Sequence, residues 1–62
     1  MDLKRFESMD TVMLLSIVNM KLRDEFPSLT ELAKYFEIDE SALASKLAGG
    51  GFEYQPEQNQ FR

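Results

Sequence analysis

The stretch from Asp10 to Phe26, DTVMLLSIVNMKLRDEF, constrains this chain more than any other. Read at about 100° per residue it forms one long helix, and its apolar side chains cover far more than a single stripe. Leu14, Leu15, Val18 and Leu22 make one wide face. Met13, Ile17 and Met20 make a second. Only Ser16, Asn19 and Arg23 form a continuous polar strip. A helix so apolar around its girth belongs inside a domain or between two chains. Asp10 suits the N-cap, with Ser8 as the alternative. Pro27 ends the helix, because the residue before a proline is pushed out of the α region. Asp24 and Glu25 sit unfavourably at the negative end of the helix dipole.

The rest of the chain supplies partners for that helix. In MDLKRFESM, apolar residues recur at Leu3, Phe6 and Met9. That spacing suits a short helical turn, although Met1 and Leu3 would also suit an edge strand. Ser28 and Glu31 make a capping box for a second helix, residues 29–36, with Leu29, Leu32, Ala33 and Phe36 inward. Asp39 caps a third helix, residues 40–48, whose inner face is Leu43 and Leu47, with Ala42 or Ala44 at close approaches. Gly49, Gly50 and Gly51 stop it. They are a helix stop rather than a phosphate cradle, which would need a strand before it and a helix after it. The closing residues 52–62 read as a hairpin. Pro56 suits an early turn position and Asn59 a left-handed exit. With residues 56–59 as the loop, Gln55 faces Gln60, Tyr54 faces Phe61 and Glu53 faces Arg62. The expectation is one mainly α domain over residues 1–62: a three-helix, helix-turn-helix-like bundle closed by a two-stranded β-hairpin.

Composition limits the function. Sixty-two residues give a thin core, and the chain holds neither cysteine nor histidine, so disulfides and the usual zinc sites are excluded. No cofactor or metal is expected. The acidic pairs Asp24-Glu25 and Asp39-Glu40 are sequence neighbours that do not face each other on a helix, so catalysis is not expected. The N-terminus is already charged, the apolar runs are too short for a bilayer, and a chain without cysteine fits a reducing compartment. The expected setting is the cytoplasm, with no membrane partner. The formal charge of −4 opposes long-range attraction to nucleic acid.

Residues 29–47, LTELAKYFEIDESALASKL, resemble a helix-turn-helix. Ala33 is the small residue between the helices, and Leu32, Phe36, Ile38 and Leu43 are the apolar positions. The usual turn glycine is replaced by Glu37, where a left-handed residue would cost roughly 1 kcal/mol. Over almost its full length, including MLLSIVNMKLRDEF and the closing residues Tyr54, Pro56, Glu57, Asn59, Gln60 and Phe61, the chain also resembles a small bacterial family known as domain of unknown function 4250. That resemblance implies a small stand-alone cytoplasmic protein and transfers no activity, ligand or site residue.

Two functions follow as expectations. The first is a non-catalytic interaction module whose partner is another protein or a second copy, docking through surplus apolar surface at Val12, Met13, Leu15 and Met20. The alternative is a winged-helix-like nucleic-acid binder or regulator accessory, with contacts from Ser41, Ser45, Lys46, Gln58, Asn59 and Arg62. A module of the first kind shows a concentration-dependent mass and negligible nucleic-acid binding at low salt. A binder of the second kind shows salt-sensitive affinity that Arg62→Glu or Lys46→Glu weakens, which a salt-titrated binding isotherm reads directly.

Overall fold

The structure, a computed structural model, describes residues 3–62. A 3-10 segment, Leu3–Ser8, leads into α1 (Thr11–Asp24), α2 (Leu29–Phe36), α3 (Glu40–Ala48) and a hairpin of β1 (Tyr54–Gln55) and β2 (Gln60–Phe61). The core is the wide face of α1, with Leu14, Val18 and Leu22 buried against Leu29 and Leu32 of α2 and Leu43 and Leu47 of α3. Phe61 closes it from the hairpin, and Leu3 and Phe6 close it from the N-terminus. Each fully buried leucine contributes on the order of 2 kcal/mol. No buried residue among those described is polar or charged.

The N-terminal segment is a helical turn and not a strand, with a kink at Arg5 (φ −102°, ψ 26°). The two readings of Leu3 are settled by spacing: at three residues per turn Leu3 and Phe6 eclipse on one side and both enter the core. The edge-strand alternative for Met1 falls outside the described residues.

Helix ends follow local chemistry. Asp10 caps α1 by accepting from the Met13 amide at 3.1 Å. Ser8 instead donates its hydroxyl to the Arg5 carbonyl. The helix closes at Asp24, two residues before the expected Phe26. The amides of Glu25 and Phe26 both turn to the Lys21 carbonyl, at 2.8 and 3.0 Å, as the chain leaves the helix ahead of Pro27. Lys21 bonds Glu25 at 2.8 Å, and Arg23 grips Asp24 with two bonds of 2.9 Å, which offsets the unfavourable placement of the two carboxylates. Ser28 accepts from the Glu31 amide, and Asp39 from the amides of Ser41 and Ala42.

Both later helices end in a Schellman closure. After α2, the Ile38 amide reaches the Ala33 carbonyl and the Glu37 amide the Lys34 carbonyl, with Glu37 left-handed at φ 57°. The turn therefore takes the glycine geometry without a glycine. After α3, the Phe52 amide reaches the Leu47 carbonyl and the Gly51 amide the Ala48 carbonyl. Gly51 holds the left-handed place at φ 91°, whereas Gly49 is still right-handed. Gly50 is needed for a different reason: a Cβ there would stand 2.5 Å from Thr11 Cγ2, at the start of α1.

The hairpin has the register its side chains dictate. Tyr54 pairs with Phe61 and Gln55 with Gln60, while Glu53 and Arg62 exchange both backbone bonds. The Tyr54 and Phe61 rings lie 5.3 Å apart on the inner face, with Phe52 half-buried beside the core. Asn59 is left-handed at φ 54°.

Glu37→Gly is expected to raise stability by about 1 kcal/mol, several degrees in melting temperature for a domain this small, and Gly51→Ala to lower it by a similar amount. Thermal unfolding followed by circular dichroism measures both.

Candidate docking face and hairpin clasp

Two asparagines fasten the hairpin to α1. The Asn19 side chain has the donor and acceptor of a peptide group, and it pairs with the backbone of Phe61 as a neighbouring strand would. Its Nδ2 donates to the Phe61 carbonyl at 3.0 Å, and its Oδ1 accepts from the Phe61 amide at 2.7 Å. The outward edge of β2 is thereby satisfied. Asn59 works in the other direction. From the hairpin loop its Nδ2 donates to the carbonyls of Leu22 (3.0 Å) and Phe26 (2.9 Å), groups left open where α1 ends. Its Oδ1 accepts from the Tyr54 hydroxyl at 2.7 Å, and that hydroxyl in turn accepts from the Leu29 amide, a first-turn donor of α2. One cluster therefore finishes the end of α1 and the start of α2.

This changes the standing of the nucleic-acid candidates. Asn59 is a correction: both of its amide hydrogens and its oxygen are engaged within the fold, so it is not a free contact. Its left-handed backbone was legible from the loop sequence, but its grip on α1 was not. Gln58 and Arg62 are exposed and bound to each other, Arg62 Nη1 donating to Gln58 Oε1 at 2.7 Å. Ser41 and Ser45 are exposed on α3, and Lys46 is half-buried. Glu40, at the start of α3, accepts from the Thr30 hydroxyl at 2.9 Å and keeps a carboxylate at that end of the helix. The α3 and hairpin groups lie on separate elements that both pack on α1.

The candidate interaction residues are distributed differently. Val12 (60%), Met13 (56%) and Met20 (46%) stand exposed on the outer side of α1. Leu15 does not join them, because it is half-buried and packed on the core. The second apolar face expected of this helix is thus left open at Met13 and Met20, with Ile17 half-buried between them. Beside the stripe an open groove of about 640 Å³ runs between α1 and the hairpin loop, lined by Ser16, Asn19, Met20 and Arg23 on one side and Gln58 and Gln60 on the other. The Arg23 guanidinium, bonded across Asp24, holds that carboxyl below its ordinary range and is itself raised.

A further exposed apolar side chain, Tyr35 (71%), had no signal of its own in the sequence. Its ring meets Phe26 at 5.3 Å and Phe36 at 5.0 Å, making an aromatic surface where α1 gives way to α2. Among the described residues no group of acidic side chains is placed to hold a metal ion, and no helix is long and apolar enough to cross a membrane.

The family model described as a domain of unknown function, DUF4250, matches residues 8–61. That span contains α1, the clasp and the hairpin through Phe61, and leaves out most of the N-terminal segment. Neither a curated protein nor a solved structure matches the chain.

Asn59→Ala is expected to cost about 2–3 kcal/mol, because two carbonyl partners and the Tyr54 hydroxyl lose their bonds at once. Tyr54→Phe, which keeps the ring and removes only the hydroxyl, is expected to cost about 1 kcal/mol. Urea denaturation of the two variants measures the difference.

Proposed function

The chain belongs to the DUF4250 family, and we propose that it is a small non-catalytic protein-interaction module that docks a protein partner or a second copy through the outer face of α1. The observation that carries this reading is the exposure of Val12, Met13 and Met20 along one side of a single helix. Large apolar side chains clustered on a rigid element are what interfaces use as anchors, and methionine adapts its shape to the surface it meets. The polar residues Ser16 and Arg23 lie among them on that side and supply the rim that orients a partner. The proposed setting is the cytoplasm, in keeping with a chain that contains no cysteine.

The charge of the chain supports a protein over a nucleic acid as partner. The formal charge is −4, and Arg62, the hairpin's cation, is bound to Gln58. Phosphate recognition depends on clustered cations able to displace counterions.

Met13→Lys combined with Met20→Lys tests the reading. Both positions are exposed, so the variant is expected to fold with a stability within about 0.5 kcal/mol of the parent. Proteins that co-purify with the parent are expected to be lost from the variant, with affinity for a recovered partner falling tenfold or more. Equal recovery by both proteins, or salt-sensitive nucleic-acid binding abolished by Arg62→Glu, defeats the proposal.

A further inference from the structure

The two ends of the chain are fastened by different means. The hairpin is tied to α1 by hydrogen bonds through Asn19 and Asn59. The segment Leu3–Ser8 enters the core as deeply, with Leu3 and Phe6 both buried, but it does so by side-chain packing. Ser8 Oγ donates to the Arg5 carbonyl, and the Met9 amide donates to the Phe6 carbonyl at 3.1 Å; both bonds are local. Among the described residues no hydrogen bond or ion pair runs from this segment to α1, α2, α3 or the hairpin. We propose that Leu3–Ser8 is a releasable strap. It swings out about Met9 and Asp10 while the helices and hairpin stay folded, and so controls access to an apolar socket against α3. The socket takes a leucine and a phenylalanine one helical turn apart.

Four observations favour release over a fixed wall. The start of α1 does not need the strap, because Asp10 caps it through the Met13 amide. The walls of the socket also stand without it. The strap packs against α3, whose buried residues are Leu43 and Leu47, and the turn after α3 already meets the start of α1 where Gly50 lies against Thr11. The energy balance is close: burying two large side chains is favourable, ordering the six residues that carry them is not, and the two effects are of the same order. Finally, the span shared with the family begins at residue 8, so the common unit has neither Leu3 nor Phe6. None of this depends on the exposed side of α1.

Amide exchange of the intact chain, followed by NMR, reads the opening directly. Met9 is expected to exchange through a local opening that protects it roughly 10- to 100-fold, while Val18 and Leu47 exchange only on global unfolding. Leu3→Ser combined with Phe6→Ser disables the strap. The open form is then the ground state, so the variant is expected to stay folded. Its folding equilibrium constant, read by urea denaturation, falls by the same factor that protects Met9 in the parent. A synthetic peptide of residues 1–8, amidated at its C-terminus, is expected to bind the variant and shift the amide signals of α3. Its Kd is roughly 10–100 μM, the millimolar effective concentration of a short tether divided by that factor. The parent, closed most of the time, binds it weaker by the same factor, and the peptide carrying both serines does not bind. Met9 exchanging as slowly as Val18, or a double variant that is unfolded, makes the segment an integral part of the core and overturns its release. Met9 without protection shows that the strap does not close and overturns it equally. A folded variant that ignores the peptide at millimolar concentration overturns the socket.

Discussion

The hydrogen-bond cluster that joins Asn59 to the end of α1 and Tyr54 to the start of α2 holds the rest of the fold in place. A two-stranded hairpin of this length is marginal alone. Here it gains stability by completing the backbone of its neighbours, and they by completing its own. The trade is reciprocal: α1 lends Asn19 to the edge of β2, and the hairpin lends Asn59 to the carbonyls that α1 leaves open. Because these side-chain amides sit at the rim of the core, Leu14, Val18, Leu22 and Phe61 pack with no polar residue among those described buried beside them.

A domain of this size has little core to spare, so the turns matter out of proportion to their length. Glu37 accepts a left-handed backbone to bring Ile38 back toward the core, and Gly51 does the same for Phe52. At the first of these the chain retains a strained glutamate where glycine would be easier. Among the described residues that carboxylate has no hydrogen-bonded partner that accounts for the choice. The N-terminal segment is similarly economical, contributing Leu3 and Phe6 from a short, kinked 3-10 segment.

Covering one side of α1 consumes α2, α3, the hairpin and the N-terminal turn, and it still leaves Val12, Met13 and Met20 bare. That surplus was legible in the helical spacing of residues 10–26, which has two apolar faces where one core needs one. Which residues would stay open was only partly legible. Leu15 looked as available as Val12, yet it turns toward the core because its position lies nearer the Val18–Leu22 side. Tyr35 gave no warning, since nothing in its local pattern sets it apart from an ordinary helix-surface residue. Asn59 was misassigned to a ligand-facing surface for the same kind of reason: an asparagine in a loop reads as solvated until the chain that passes beneath it is known.

The sequence by itself determined the helices, their caps, the stop at the glycines and the register of the hairpin. Each depends on residues a few positions apart, whose spacing alone brings donor and acceptor or apolar pairs together. Tertiary structure decided the tasks of Asn19, Tyr54 and Asn59, and which part of the apolar girth of α1 is covered. Those bonds join residues separated by 42, 25 and 37 positions. At such separations no local periodicity relates the partners, and only the packing of the whole chain brings them within reach.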